Sequence, residues 1–348
     1  MNLHYSIKKR VFALLVVYCG LAFPEKIRGE NILLNKIGEI RSDNISNGRM
    51  LFSEISDFCF DDEENIYIAD SGFCKIVKLG PDLKFIKSFG GEGQGPGEFI
   101  GKPWGLRISY GMRNIIVTDN SNSKLIFFDK DGSYIKQLPI PAYIYDKAII
   151  DSKNNIYLVE KLGKNTIGCY DSNMNQIRTF LPRQDVFDFP YSKPKNRDFI
   201  LVRNRKIPRA LDGDAVIKMV TNEDHIIAVS NFSLKIYQYD NSFNKISVFR
   251  IDNKIFVDYI KTELKKAIKK GGFIRPFYAC LDENNNIILF YMNISNKRYL
   301  LMKYRTDGHF VGSFQIPDRL LSTQRFAYNK KGYLHALIDA DSIGIYKY

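Results

Sequence analysis

The chain has one tryptophan and four histidines in 348 residues, and its five cysteines include no Cys-x-x-Cys pair. Each scarcity excludes something. His4 lies near the N-terminus, while His225, His309 and His335 are scattered, so no histidine or cysteine cluster has the spacing of a zinc site. These histidines are expected on the surface or as satisfied core residues. Cys59, Cys74, Cys169 and Cys280 are irregularly spaced. They are expected as buried thiols inside strands, although an even count in an exported chain permits disulfides. The glycine-rich run from Gly90 to Gly97 lacks the Gly-Lys-Ser/Thr ending of a phosphate loop, and no helix pattern follows it. No apolar run reaches the roughly 20 residues of a membrane-spanning helix. No constellation of residues points to catalysis, and none points to a metal or another cofactor.

What is present begins with a leader. Lys8, Lys9 and Arg10 precede an apolar run over residues 11–23, and polar sequence follows from Pro24. This is the layout of a secretory signal peptide, so residues 1–29 are read as a leader and the protein as exported. It is expected in the periplasm, attached to the cell envelope or secreted. Val17-Tyr18-Cys19-Gly20 resembles a bacterial lipobox, in which Cys19 would be lipidated, but Tyr18 departs from the small residue that pattern has there. The formal net charge is +13, of which the first 30 residues hold five basic and two acidic side chains, leaving +10. Such an excess favours an anionic partner if it is concentrated in one place. Aromatic residues make up 14% of the chain, with 21 Tyr and 25 Phe, and that composition leans towards strands.

The rest is a repeat. Residues 55–60, 66–70, 75–79 and 85–89 are four short β-rich runs separated by turn residues. The order recurs five more times, the last copy ending at the C-terminus after three runs. The turn after the first run aligns as Asp61 to Asn65, Asp151 to Asn155, Asp282 to Asn286 and Asn329 to Gly332. From Asp61 to Asp151 is 90 residues for two copies, which matches a four-stranded propeller blade of about 45 residues. The pattern therefore predicts an all-β fold: a six-bladed β-propeller of four-stranded antiparallel blades over residues 31–348. Residues 32–40 have strand composition and are expected to supply the missing fourth strand of the last blade. Closing blade shared between the two termini, the ring would leave no unpaired edge there.

Ser88-Phe89-Gly90 leading through the glycines to Gly97-Glu98-Phe99 and Pro103-Trp104 resembles the linker of NHL repeats. Tyr67-Ile68-Ala69-Asp70-Ser71 and Val117-Thr118-Asp119-Asn120-Ser121 are similar to that family's core segment. The likeness is specific in the first two blades and fades later. It implies an exported bacterial six-bladed propeller. Two insertions interrupt the period. Residues 182–214 read as a basic loop, with Arg203, Arg205, Lys206 and Arg209 as an anionic contact. Between Pro182 and Ala210 there are eight basic residues against three acidic ones. Residues 255–270 read as one inserted helix, with Phe256, Ile260, Leu264 and Ile268 spaced by four.

Topology gathers the links between second and third strands, and those between blades, on one face. Lys75, Trp104, Lys124, Arg275 and Arg325 are the candidate ligand-binding residues by that placement, with Asp70 beside them. Asp70 and Asp119 themselves are expected as turn caps rather than metal ligands. The favoured function is an extracytoplasmic binding or scaffold module, probed through one propeller face, for a protein, peptide or glycan. A monomer is expected, an anionic surface is an open partner, and nucleic acid is not expected. The alternative is a metal-assisted hydrolase or lyase in the central channel. Gluconolactonase-like propellers hold calcium there, and Asp57, Asp146 and Asp214 are inner-strand acids. Protein recovered from the native host should lack residues 1 to about 29, checked by intact mass, and a diacylglycerol adduct on Cys19 would establish lipid anchoring.

Overall fold

The computed structural model describes residues 32–45, 50–100, 106–111, 113–140, 148–151, 153–160, 164–182, 185, 199–202, 205–208, 217–221, 225–230, 234–252, 254, 257–258, 262, 278–293, 298–317 and 325–348. Strands β1 (Ile32–Leu33) and β2 (Asn35–Arg41) open the chain. Blade one is β3 (Ile55–Phe60), β4 (Ile66–Asp70), β5 (Lys75–Leu79) and β6 (Phe85–Phe89). Blade two is β7 (Leu106–Gly111), β8 (Asn114–Asp119), β9 (Lys124–Asp129) and β10 (Tyr134–Pro139). Blade three is β11 (Ile149–Ile150), β12 (Ile156–Val159), β13 (Asn165–Tyr170) and β14 (Gln176–Pro182). A hairpin, β15 (Phe199–Val202) and β16 (Arg205–Pro208), precedes blade four. That blade holds β17 (Ile217–Thr221), β18 (His225–Ser230), β19 (Lys235–Asp240) and β20 (Lys245–Arg250). Blade five is β21 (Tyr278–Leu281), β22 (Ile287–Asn293), β23 (Arg298–Tyr304) and β24 (Phe310–Gln315). Blade six is β25 (Phe326–Tyr328), β26 (Leu334–Asp339) and β27 (Ser342–Lys347), completed by β2. Each blade is an antiparallel meander. The fold is an all-β, six-bladed propeller.

The second and third strands are apolar along almost their whole length, because both of their faces are covered by neighbouring blades. Every residue of β4 is buried. The cores therefore lie between blades. Tyr67, Ile76, Leu106 and Val117 pack between blades one and two, and Ile227, Ile236, Leu289 and Met302 between blades four and five. Blades three and four meet through aromatic rings, with Phe180 at 4.9 Å from Tyr239 and 5.5 Å from Phe243. Among the described residues the outer strands β6, β10 and β14 pair on one side only and expose Ile86, Ile135 and Ile177. Lys87, Lys136 and Arg178 follow these isoleucines directly, and charge beside an exposed edge discourages pairing with another chain.

Two local devices set the turns. Gly90 has φ +87°, and a Cβ there would lie 2.2 Å from the buried Phe99 ring. The Phe-Gly end of blade one is thus a close approach that only glycine allows. In the turn after β3 the Asp61 carboxylate accepts the Glu63 and Asn65 amides, both at 2.9 Å. Glu64 takes φ 66°, which gives a three-residue loop with a left-handed third position. Asp151 and Asp282 repeat the arrangement after first strands. Asp171 and Asp240 repeat it after third strands.

The closing blade corrects one detail of the sequence reading. Residues 32–40 are not one strand. β2 pairs antiparallel with β27, from Asn35 opposite Lys347 to Arg41 opposite Ser342. β1 instead joins blade five as a fifth strand, parallel to β24, with Ile32 opposite Phe314. The break falls at Leu34, whose amide donates to Gln315 at 2.9 Å while its side chain is buried in the core between blades five and six. The N-terminal segment thus staples two blades. The C-terminus is held close by: the Tyr348 ring lies 4.6 Å from Phe314, and its hydroxyl is 2.7 Å from that of Tyr328.

The other insertions are described only in part. Residues 182–214 were read as a loop, and they carry the β15–β16 hairpin, with Phe199 opposite Pro208 and Val202 opposite Arg205. The first strand is wholly apolar, Phe199-Ile200-Leu201-Val202, with the β-branched residues that favour strands. Within 255–270, Val257, Asp258 and Thr262 are helical, and the Thr262 hydroxyl donates to the Asp258 carbonyl at 2.8 Å. The other residues of that insertion lie outside the described residues.

Ring closure buries Ile40 of β2 against Phe58 and Ile68 of blade one and Ile343 of blade six. Ile40→Ala should cost about 2–5 kcal/mol, as a large-to-small change does in any packed core. Ile37→Ala on the exposed side of the same strand should stay within about 0.5 kcal/mol. Chemical denaturation measures both, and equal small costs would mean that β2 is an accessory strand.

Candidate functional site

An antiparallel meander puts the first and third turns of every blade on one side of the ring. Links between second and third strands, and between blades, fall on the other. The two faces differ chemically. On the turn face the aspartates are occupied by their own loops. The Asn175 amide group bonding the Asp171 side chain holds that carboxyl below the usual range. Blades are also tied together there. Tyr67 and Lys78 of blade one both donate to the Lys130 carbonyl of blade two, at 3.0 and 2.9 Å. Lys130 in turn pairs with Glu63, and the Lys330 amine of blade six donates to the Asp62 carbonyl at 2.8 Å. This face is built for closure.

The linker face is different. Asp70 and Asp119 end the second strands of blades one and two and are fully buried. Asp70 accepts the amides of Ser53, Glu54, Gly72 and Phe73 at 2.9–3.3 Å. Asp119 accepts those of Ile100, Ser121 and Asn122 at 2.8–3.2 Å. Each carboxylate clamps an incoming linker to the link of its own blade, and its oxygens are spent on main chain. Lys124 reaches the Gln94 carbonyl at 2.7 Å and steadies the glycine-rich linker. Lys75 places its amine 4.8 Å from the centre of the Phe73 ring, and Phe73 is 43% exposed. An exposed aromatic ring with a cation beside it is a favoured anchor for a partner. Sequence reasoning picked Lys75 and missed Phe73. The signal was there, since blade one has Ser71-Gly72-Phe73-Cys74 where blade two has the all-polar Asn120-Ser121-Asn122-Ser123.

The remaining candidates divide three ways. Arg325, expected as a surface anchor, is buried. Its Nε donates to the Ser56 carbonyl at 3.0 Å and lies 3.7 Å from Asp57, and its guanidinium sits 4.8 Å from the Tyr278 ring centre. It joins blades five, six and one because the last first-strand opens right beside β3. Arg205 and Lys206 lie on β16. Trp104, Arg275, Arg203, Arg209 and Cys19 lie outside the described residues, as do Asp146 and Asp214.

Asp57, considered as an inner-strand metal ligand, is buried and accepts the Ile108 amide at 3.1 Å in addition to its pairing with Arg325. Among the described residues no group of three or more His, Cys, Asp or Glu is arranged to hold a metal ion. The Cys169 thiol is pushed up to about 11 by burial, which removes it as a nucleophile near neutral pH.

Comparison with known proteins places the fold. No family model matches the chain. A 63-residue stretch is 41% identical to protein lin-41 of Caenorhabditis elegans, a match over 18% of this chain and 5% of that protein's length. Similar solved structures include a candidate exported protein from Bacteroides fragilis, 15% identical with a TM-score of 0.56, covering 90% of this chain and 94% of that one. A member of the DUF4221 family from Bacteroides vulgatus is 13% identical with a TM-score of 0.59, covering 91% and 97%. Virginiamycin B lyase from Staphylococcus aureus is 9% identical with a TM-score of 0.52, covering 89% and 98%. At such identities the likeness is one of fold.

One buried titratable group gives the ring a pH dependence. His335 of β26 lies against Phe60 of blade one, ring centres 4.7 Å apart, with Nδ1 3.2 Å from the Tyr333 carbonyl. Burial pushes its pKa down to about 4. The unfolded chain then binds the proton more readily than the folded one. Stability should fall as pH drops from about 6.5 to about 4, by at most about 3 kcal/mol from this group. His335→Gln should flatten that part of the pH profile of the unfolding midpoint. An unchanged profile would show that the imidazole is solvated.

Proposed function

We propose that this protein is an exported binding or scaffold module of the NHL-repeat type, which recognises a protein, peptide or glycan through the linker face. The observation that carries the reading is the exposed Phe73–Lys75 pair on the one face whose links are not consumed in closing the turns. Aromatic and cationic groups on a rigid rim supply contact area at low ordering cost. The leader pattern of residues 1–29 supports export, and Cys19 is the proposed anchor if the protein is retained at the envelope. The hairpin with Arg205 and Lys206 is proposed as an added contact for an anionic surface. A binding role is favoured over a channel hydrolase because Asp57 is committed to Arg325 and the Ile108 amide.

Crosslinking of tagged protein in its native envelope tests the reading. Partners captured by the wild type should fall by about tenfold with Phe73→Ser and Lys75→Ser combined, the scale of losing one hot-spot residue. Undiminished capture by that variant, or loss on Asn173→Arg at the turn face, would move the binding surface elsewhere.

A further inference from the structure

We propose that the outer wall of blades three and four rests on an anionic phospholipid surface, with Ile177, Ile246 and Val248 entering the headgroup layer and Arg178, Lys245 and Arg250 meeting phosphate. The proposal concerns a different surface from the linker face and does not depend on that reading.

The wall is marked by a feature of register. In every blade the fourth strand gains one residue over the third near its start, where the pairing slips. The extra residue is β-branched and aliphatic each time: Ile86, Ile135, Ile177, Ile246, Val311 and, on β2, Ile37. A bulge breaks the ladder and re-aims a side chain. Here it leaves the side chain in solvent, since the five isoleucines are all 47–52% exposed. Among the described residues, nine of the twelve exposed large apolar side chains lie on outermost strands. Single exposed apolar residues need no partner, but apolar side chains gathered on one wall mark a contact surface.

The bulges also say what kind of contact this is. They twist an edge away from an incoming strand. β1 joins blade five only beyond the bulge, opposite Phe314 and Gln315. At the level of the isoleucines the wall therefore offers side chains rather than main chain. On β6, β10, β14 and β20 those side chains include five basic residues and no acidic one. Isoleucine mixed with lysine is a poor match to a protein interface, where lysine is depleted. It matches the interfacial zone of an anionic bilayer, which takes up aliphatic groups and binds cations at phosphate.

The isoleucines repeat, and the cations decide the arc, because a flat leaflet meets neighbouring blades and not the whole ring. In blade two Lys136 donates to the Ser172 carbonyl at 2.6 Å, and beside the outer strand of blade one Lys84 pairs with Asp82 at 2.8 Å. Blades three and four hold Arg178, Lys245 and Arg250 exposed. Val248 adds a further exposed aliphatic group there. The two blades form one surface, since the Arg178 guanidinium lies 5.6 Å from the centre of the Phe243 ring in the third turn of blade four. Acids of the adjoining turns face inward: Asp171 and Asp240 each accept two amides of their own loop and an asparagine side chain.

Sedimentation with lipid vesicles tests this, on protein carrying Cys19→Ser so that no lipid anchor contributes. Vesicles of phosphatidylcholine alone are compared with vesicles that also contain phosphatidylglycerol. Binding to the anionic vesicles is expected, and it should weaken as salt rises. Ile177→Ser with Ile246→Ser, and Arg178→Ser with Lys245→Ser, should each lower the partition coefficient by about tenfold, the scale of two exposed aliphatic or two basic contacts. Unfolding midpoints should stay unchanged, and should one pair fail to fold, the other carries the test. Ile86→Ser with Ile135→Ser, and Phe73→Ser with Lys75→Ser, should bind as the unsubstituted wall does. Equal binding to both kinds of vesicle, or full binding by the folded wall variants, overturns the proposal. So does a solution dimer that the Ile177→Ser/Ile246→Ser pair abolishes, which would give the wall to a second copy. Phe73-dependent capture that persists in any of these cases leaves the binding-module reading standing.

Discussion

Each blade is a small twisted sheet with two apolar flanks, and neither flank can be buried by the blade alone. Tyr67, Val117, Leu289 and their equivalents are hidden only because another blade lies against them. The ring must therefore close, and the closing interface must be as well packed as the others. The chain meets this demand at its weakest point, where its two ends come together. β2 carries Ile40 into the last core, Leu34 enters the one before, and β1 extends onto blade five. Two adjacent blades are locked by one ten-residue segment, so closure does not rely on a single strand edge.

Polar groups follow the same logic. A propeller has many turns, and buried backbone amides at their ends require acceptors. The repeated aspartates provide them locally on the turn face and across linkers on the opposite face. The long basic side chains of Lys78 and Arg325 then reach carbonyls of the next blade, so that charge serves to join blades rather than to coat the surface. The link from Ser71 to Cys74 is clamped in the same way through the Gly72 and Phe73 amides, yet it leaves the Phe73 ring in solvent. Function in such a fold is carried by departures from the repeat, because repeated positions are already committed to closure.

Much of the architecture was legible because its causes are local. The Asp-to-Asn turns and the Phe-Gly linker each state a backbone geometry within a few residues. Their spacing then counts the blades. The shared last blade was legible for a global reason of the same kind: three strands remained at one end and strand composition lay at the other. The candidate surface was only half legible. Lys75 followed from topology, but Arg325 was misjudged, since its partners Ser56 and Asp57 lie on a strand some 269 residues earlier in the chain.

By itself the sequence determined the number of blades, the turn geometry and the side of the ring on which links gather. These depend on period and on residues whose backbone preferences act at short range. Tertiary structure alone decided the split of the N-terminal segment between two blades and the burial of Arg325 against Asp57 and Tyr278. Those features come from bringing inner strands of different blades around one axis, and a bulge at Ser56 shifts one of them by a residue. No local pattern encodes a register that is set by contacts between distant strands.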